Sequence, residues 1–421
     1  MTWEFIFYEI FMTTESIFII ILAIFLGETL LTKFLGYLNT TKWSDELPEE
    51  LKDIYDGDKY GKSQKYERTK YKFSWISSIP TFIIMLLILV YGGFGWLDSF
   101  WRGYSENPIV LALAFFGSIS VVSMFISLPF SYYSTFVIEE KFGFNKMTKK
   151  LFFTDTIKWL VLSALIGWPL LALIVWIYSA VGISFWIYAW AIATAFSLFM
   201  MMFYSSLIVP LFNKQTPLED GDLRDAINAF AEKVGFKLDN IFVIDGSKRS
   251  SKANAYFSGF GPKKRIVLFD TLIKDLNIDE LVAVLAHEIG HYKKKHTLKM
   301  LAMSIVQTWV IFYVFSLALW LPEVSYALGW EKQSFHLGAV AFGILFTPIS
   351  IIFGMFSSVF SRKNEYEADA YAKENFSGEH LSKALIKLSR NNLSNLRPHP
   401  AYEFFYYSHP TVLKRLKALK K

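Results

Sequence analysis

The stretch Val284-Leu285-Ala286-His287-Glu288-Ile289-Gly290-His291 combines residue types and spacing that can do chemistry. Two histidines four apart on a helix lie on one face and can reach a single zinc ion, while Glu288 comes near the ion's open position as a general base. Only seven histidines occur in the whole chain. Leu281, Val282, Val284, Leu285 and Ile289 make this helix mostly buried, and polar groups on a buried helix need partners. A catalytic zinc takes three protein ligands and leaves one position for water. There is no cysteine, so thiolate ligands, disulfides and a cysteine nucleophile are all excluded. His296 does not fit the metzincin continuation, because Lys294 and Thr297 stand where glycine and histidine belong. The best remaining donor lies in Asn364-Glu365-Tyr366-Glu367-Ala368-Asp369. On a helix Glu365 and Asp369 share a face and Glu367 turns away from both. Glu365 can then complete the zinc site, and Asp369 can hydrogen-bond a ligand imidazole. In isolation the same run reads as a solvated acidic helix face; beside the first motif the ligand reading is preferred.

The elements that must position these residues are membrane helices. The 421 residues are 53% hydrophobic, 18% aromatic and only 19% charged, against about 25% charged in a soluble domain. Disorder is excluded by that composition. Seven runs are long and apolar enough to cross a bilayer core of about 30 Å: Ser16–Leu38, Ile76–Leu97, Ile109–Phe130, Ile157–Tyr178, Ile183–Val209, Leu298–Leu321 and His336–Phe360. The fifth is long enough to tilt or kink. The N-terminal segment has no basic region or cleavage site and reads as a retained anchor. Basic and basic-poor loops alternate. Lys52 to Lys72 follows span 1, Lys141 to Lys150 follows span 3, and basic segments follow spans 5 and 7, whereas the N-terminal tail has no basic residue and the other loops have Arg102, none and Lys332. This predicts an outside N-terminus and a cytoplasmic face carrying the histidine motif.

Four parts follow: residues 1-212 with spans 1 to 5, an insert 213-297 containing the histidine motif, spans 6 and 7 in 298-360, and a cytoplasmic helical segment 361-421 that completes the zinc site. In the insert, Leu223 to Val234 reads as an amphipathic helix stopped by Gly235. Ile241–Ile244 and Ile266–Phe269 are short β-branched and aromatic runs that predict a small hairpin. The mixed charges from Asp45 to Lys72 read as a solvated cytoplasmic hairpin. Lys293-Lys294-Lys295 could meet anionic headgroups, or simply solvate a helix end. Glu28 and Gln307, inside spans, suit an aqueous cavity or an interfacial pairing. No basic face interleaved with aromatics suggests nucleic-acid binding.

Further residues carry a family resemblance. Leu128-Pro129-Phe130, Phe136 to Asn145, Gly246 to Ser251, Asn254-Ala255-Tyr256-Phe257, Lys264 to Leu272, Ser361-Arg362, Glu365 to Asp369 and Tyr407-Ser408-His409-Pro410 with Arg415, together with the histidine motif, resemble the type I CaaX prenyl proteases nearly from end to end. The resemblance implies an α-helical integral-membrane protein whose seven helices form a barrel around a large water-filled chamber, capped by a gluzincin-like metallopeptidase segment. It implies one zinc per chain on His287, His291 and Glu365, with Glu288 as base. Asn254 and His409 would hold the substrate backbone, His409 also donating to the developing oxyanion, and Arg415 would lie nearby in the substrate site. The activity implied is removal of the last three residues from prenylated C-terminal CaaX sequences, with a peptide or protein substrate and the lipid bilayer as partners and no nucleic acid. The stretch between Asp275 and Glu280 is shorter than in many eukaryotic relatives and leans toward a prokaryotic source, hence a cell inner membrane in place of the endoplasmic reticulum. Two other readings remain: a membrane quality-control metalloprotease, and a seven-span transporter or receptor whose zinc is structural and closed by a fourth protein ligand.

Overall fold

The computed structural model describes residues 13–236, 241–258, 265–329 and 331–421. Most of the N-terminal tail used for the predicted orientation, and Lys264 of the family motif, lie outside the described residues. The first helix, α1 (Thr14–Thr40), starts where the Thr13 hydroxyl accepts the Ser16 N–H. Helix α2 (Gly57–Val90) is capped by Asp56, and after a break at Tyr91 and Gly92 comes α3 (Gly93–Arg102). Helix α4 (Pro108–Tyr133) begins at a proline whose preceding Asn107 accepts two backbone N–H groups. Next come α5 (Lys149–Val181) and α6 (Phe185–Phe203).

Five apolar helical stretches and one bent pair could cross a membrane, and one of the five, Lys149–Phe212, has 64 residues. A straight helix of that length would measure about 96 Å, far beyond one bilayer core. It is a hairpin: the chain turns at Gly182–Ser184, where Gly182 has φ +60°. Its two ends meet, with Lys158 Nζ donating to the Leu211 carbonyl at 2.8 Å and Trp159 stacked on Phe212. Counted this way, the described residues make seven crossings.

Two predicted spans differ in detail. Span 2 was expected to run through Leu97 but ends at Val90, because Gly92 adopts φ +63° and packs backbone-to-backbone with Gly329. Its helix begins far earlier, so the predicted hairpin from Asp45 to Lys72 is wrong. Residues from Gly57 onward belong to α2, and Leu51, Ile54, Tyr55 and Tyr60 are buried against Leu396 and Leu416. Span 7 is broken into α11 and α12, described below.

The insert opens with β1 (Gln215–Pro217) and α7 (Asp222–Lys233), stopped near Gly235 at φ +58°. Strands β2 (Ile241–Ile244), β3 (Ala255–Ser258) and β4 (Arg265–Phe269) complete a sheet of order β1-β2-β4-β3. The predicted hairpin between Ile241–Ile244 and Ile266–Phe269 is corrected: those strands run parallel, and β3 is the antiparallel partner of β4. A parallel pair needs a crossover rather than a tight turn, and the chain from Asp245 to Asn254 makes it while binding the membrane helices. Arg249 Nε donates to Asp155 at 2.8 Å, and Lys252 Nζ reaches Glu139 and the Tyr66 hydroxyl, each at 2.9 Å.

After α8 (Asp270–Asp275) come α9 (Ile278–Lys293) and α10 (His296–Trp320), then α11 (Phe335–Leu345) and α12 (Thr347–Ala372). The last two are bent by 54°. Pro348 lacks the N–H that would continue the ladder across the joint. Helix α12 also passes unbroken through residues 360 and 361, where a domain boundary was expected. Helices α13 (Gly378–Asn391), α14 (Pro400–Tyr406) and α15 (Val412–Lys420) finish the chain.

The spans bury little. Only 6 to 17% of each apolar window is buried, whereas a helix in a packed bundle buries a continuous stripe. Most of their apolar surface is therefore left facing outward from the protein's own packing, as lipid-facing helices require. At the end away from the sheet, Asp98 is fully buried and accepts hydrogen bonds from Arg102, Ser334 and His336, fastening α3 to the start of α11.

Candidate metal centre

The start of α9 is fixed by a reciprocal cap: Asn277 accepts the Glu280 N–H at 2.9 Å, and Glu280 accepts the Asn277 N–H at 3.0 Å. Glu280 also accepts from Lys387 on α13. Leu281, Val282, Ala283, Leu285, Ala286 and Ile289 are buried in the insert core, so the opposite face carries the histidines. At its end Lys293 Nζ donates to the carbonyls of Val234 and Gly235 and so ties α9 to the end of α7. Helix α12 crosses α9 at Gly290, where a Cβ would lie 3.1 Å from Tyr371 Cβ and 3.2 Å from the Ala368 backbone. That close crossing brings Glu365 and Asp369 to the histidine face.

His287 Nε2 lies 3.2 Å from His291 Nε2, and Glu365 presents Oε1 at 3.2 Å from His291 Nε2 and Oε2 at 3.5 Å from His287 Nε2. Donors about 2.0–2.1 Å from a shared tetrahedral ion lie about 3.3 Å apart, so these three side chains could hold one. Glu365 Oε2 is buried and accepts no hydrogen bond, the condition a cation in that space would satisfy. Arg415 Nη1 stands 3.3 Å from it without hydrogen-bond alignment. The Nδ1 atom of His287 is 2.9 Å from Asp369 Oδ1, and Asp369 in turn accepts from Arg415 Nε at 2.8 Å and Nη2 at 2.6 Å.

Burial and the Arg415 charge press the His287 pKa down, but the hydrogen bond to Asp369 and the nearby Glu365 carboxylate outweigh them and lift it to about 9. Burial opposes the charged form of Glu365, yet the two histidines and Arg415 hold its carboxyl far below the usual range. Asp369 is also lowered: burial works against it, and His287 and Arg415 prevail.

The donors face a cavity of about 470 Å³. Glu288 is half-buried on its wall. Asn254 is exposed at the start of the edge strand β3, and His409 stands 63% exposed with Nε2 3.3 Å from Glu365 Oε1. All eight predicted site residues except Asp369 line this cavity, and Asp369 lies behind His287. Arg415, expected to touch substrate, spends its guanidinium on Asp369 and Glu365 and is 8% exposed. Aliphatic side chains Leu272, Val284, Leu381, Leu385 and Leu388 form much of the remaining wall, with Ala253, Ala255 and Asn392.

Sequence reasoning missed one pair. His296, set aside as a ligand, is 2% exposed, with Nδ1 3.0 Å from His291 Nδ1 and Nε2 3.0 Å from Glu367 Oε2. Its position five residues past His291, beside the turn at Lys295, was the signal available.

Comparison with known proteins agrees with this geometry. Residues 37–214 match the model of the CAAX prenyl protease N-terminal region with five membrane helices, and residues 217–421 match peptidase family M48. CAAX prenyl protease 1 of Saccharomyces cerevisiae is 39% identical over 416 residues, covering 92% of this chain and 91% of the relative. The human CAAX prenyl protease 1 homolog is 34% identical, with 90% of each chain covered. The crystal structure of S. mikatae Ste24p superimposes with a TM-score of 0.90 at 38% identity, covering 96% of this chain and 99% of that one. A three-residue donor set able to hold a metal, and a match through both halves, make one conclusion: the chain belongs to the type I CaaX prenyl protease family of M48 membrane metallopeptidases.

Proposed function

We propose that this chain is a zinc endopeptidase that removes the C-terminal aaX tripeptide from prenylated CaaX proteins. The observation that carries the reading is the three-donor set of His287, His291 and Glu365, left open toward a cavity that also receives Glu288. A structural site would be closed by a fourth protein ligand, and the M48 match disfavours the transporter reading. The substrate class rests on the names of the full-length relatives and on the aliphatic cavity wall, which suits the two apolar residues of a CaaX tail.

His287, His291 and Glu365 would hold the zinc, whose chemistry when bound is to acidify water and polarise a peptide carbonyl. Glu288 takes the proton from the attacking water and delivers it to the leaving amine. His409, exposed on the cavity wall where it can meet substrate, donates to the oxygen on which charge develops, a contribution of about 10²–10³ in rate. Asn254 holds the substrate backbone beside β3. Asp369 fixes the His287 ring, and Arg415 keeps Asp369 and Glu365 ionised. The catalytic face is cytoplasmic and the N-terminus outside: the insert docks on the same ends of the spans as the basic loops, through Arg249 to Asp155 and Lys252 to Glu139. The membrane is the endoplasmic reticulum in a eukaryotic source and the inner membrane in a prokaryotic one.

Purified protein should cleave a farnesylated CaaX peptide and leave its unprenylated twin largely intact. Glu288→Ala should abolish cleavage while zinc stays near one per chain. Equal cleavage of both peptides would overturn the prenyl selectivity in favour of quality control, and undiminished cleavage by Glu288→Ala would overturn the hydrolytic role.

A further inference from the structure

We propose that His296 and Glu367 form a positioning relay for the His291 imidazole, fixing its tautomer and ring angle and thereby setting the affinity of the metal centre. This rests on His291 being a metal ligand.

The proton positions follow from the geometry. His291 turns Nε2 toward His287 Nε2 and Glu365 Oε1, each 3.2 Å away, so its lone pair belongs there. A neutral imidazole with a free Nε2 carries its hydrogen on Nδ1. Among the described residues that hydrogen is directed to His296 Nδ1 at 3.0 Å, which must accept. His296 then carries its own hydrogen on Nε2 and donates it to Glu367 Oε2 at 3.0 Å. Every ring nitrogen has one role, and reversing either bond would place a hydrogen where the metal belongs.

The backbone is arranged for this contact. Lys295 has φ +59°, a left-handed conformation uncommon for a residue with a Cβ. It breaks the path from α9 into α10 and turns His296, the first residue of α10, back toward His291. Glu367 comes from α12, on the side opposite Glu365 and Asp369. The two ligand imidazoles are thus supported differently. His287 meets a buried carboxylate directly, at 2.9 Å from Asp369. The Nδ1 of His291 instead reaches a carboxylate, Glu367, through a second imidazole, and that carboxylate is one-third exposed with Lys363 3.9 Å away. Partners of this kind orient a ligand and raise its basicity, and their removal typically weakens metal binding by about 10–100-fold.

The alternative is that His296 is merely a satisfied core histidine. The test is zinc affinity of the full-length protein in detergent, stripped with a chelator and titrated under chelator competition. His296→Leu should bind zinc about 10–100-fold more weakly, and Glu367→Leu should weaken it in the same direction. Glu367→Gln keeps an oxygen to accept the His296 N–H and should restore affinity to within about threefold. Cobalt titrated into His296→Leu should give a visible spectrum shifted from that of the parent. Parent-like zinc affinity in folded His296→Leu overturns the relay; if that variant does not fold, parent-like affinity in Glu367→Leu does so, its part-exposed site making folding secure. His291→Ala tests the underlying reading separately. Undiminished zinc binding there would remove His291 as a ligand, whereas the relay fails alone if His291→Ala loses zinc and the relay variants keep it.

Discussion

Between Asp369, Glu365 and His287, the Arg415 guanidinium is almost wholly buried. A charge there is tolerable because it is paired, and removing one partner strands the other at a cost of about 3–5 kcal/mol. Asp369→Ala should therefore lower the thermal midpoint of the metal-free protein sharply, and Asp369→Ala combined with Arg415→Met should recover part of the loss. A midpoint unchanged in the single variant would refute the buried pairing. The His287 pKa of about 9 makes a second prediction. Metal-free His287 holds a second proton below that value, and ligation needs it gone. Apparent zinc affinity should fall by about tenfold per pH unit as pH drops from 8 to 6, measured by chelator competition. A flat profile would count against it. In the metal-free fold the sign is opposite: the raised pKa contributes stability that is full below the ordinary 6.5 and is lost as pH rises through about 9. At this scale spacing made much of the site legible, because i, i+4 on a helix defines a shared face. It could not show His296 meeting Glu367, since the left-handed residue at Lys295 redirects the chain.

Helices α9 and α12 meet at Gly290, and the contact distances there have a consequence for stability. Glycine within a helix normally costs up to about 1 kcal/mol relative to alanine, so Gly290→Ala at an open position would stabilise. Here the added carbon meets Tyr371 and Ala368 at 3.1–3.2 Å, and forcing packed helices apart costs about 1–3 kcal/mol. Gly290→Ala should lower the thermal midpoint and weaken zinc binding, since the same displacement moves Glu365 from the histidines. A raised midpoint would show that the crossing has slack. The membrane helices were readable because twenty apolar residues have few other fates. Their breaks were less so: the stop at Gly92 depends on its packing against Gly329, 237 positions later in the chain. Strand pairing was misread for a similar reason. Two short runs with intervening glycine and serine suggest a hairpin locally, but β3 competes for β4, and β2 is left with the parallel edge.

Across the whole molecule, the two ligand-bearing segments are continuations of membrane spans. Helix α10 begins three residues after α9 ends, and α12 carries Glu365 and Asp369 on the same 26-residue rod that starts at the bend of span 7. The fixed point for these spans lies at the far end, where Asp98 gathers Arg102, Ser334 and His336. The bend at Phe346 makes span 7 a jointed lever between that anchor and the metal ligands. Helices adapt to a thinner or thicker hydrocarbon layer by tilting, at a cost of fractions of a kcal/mol per Å, and the tilt of α12 is carried to Glu365 about 27 Å from Thr347. On this geometry bilayer thickness should alter the spacing of His287, His291 and Glu365. Reconstituted into phosphatidylcholine bilayers of increasing acyl length, the protein should show an optimum of peptide cleavage, with zinc dissociating faster on either side of it. A soluble metallopeptidase would show no such dependence; that optimum would make the membrane part of the scaffold around His287, His291 and Glu365.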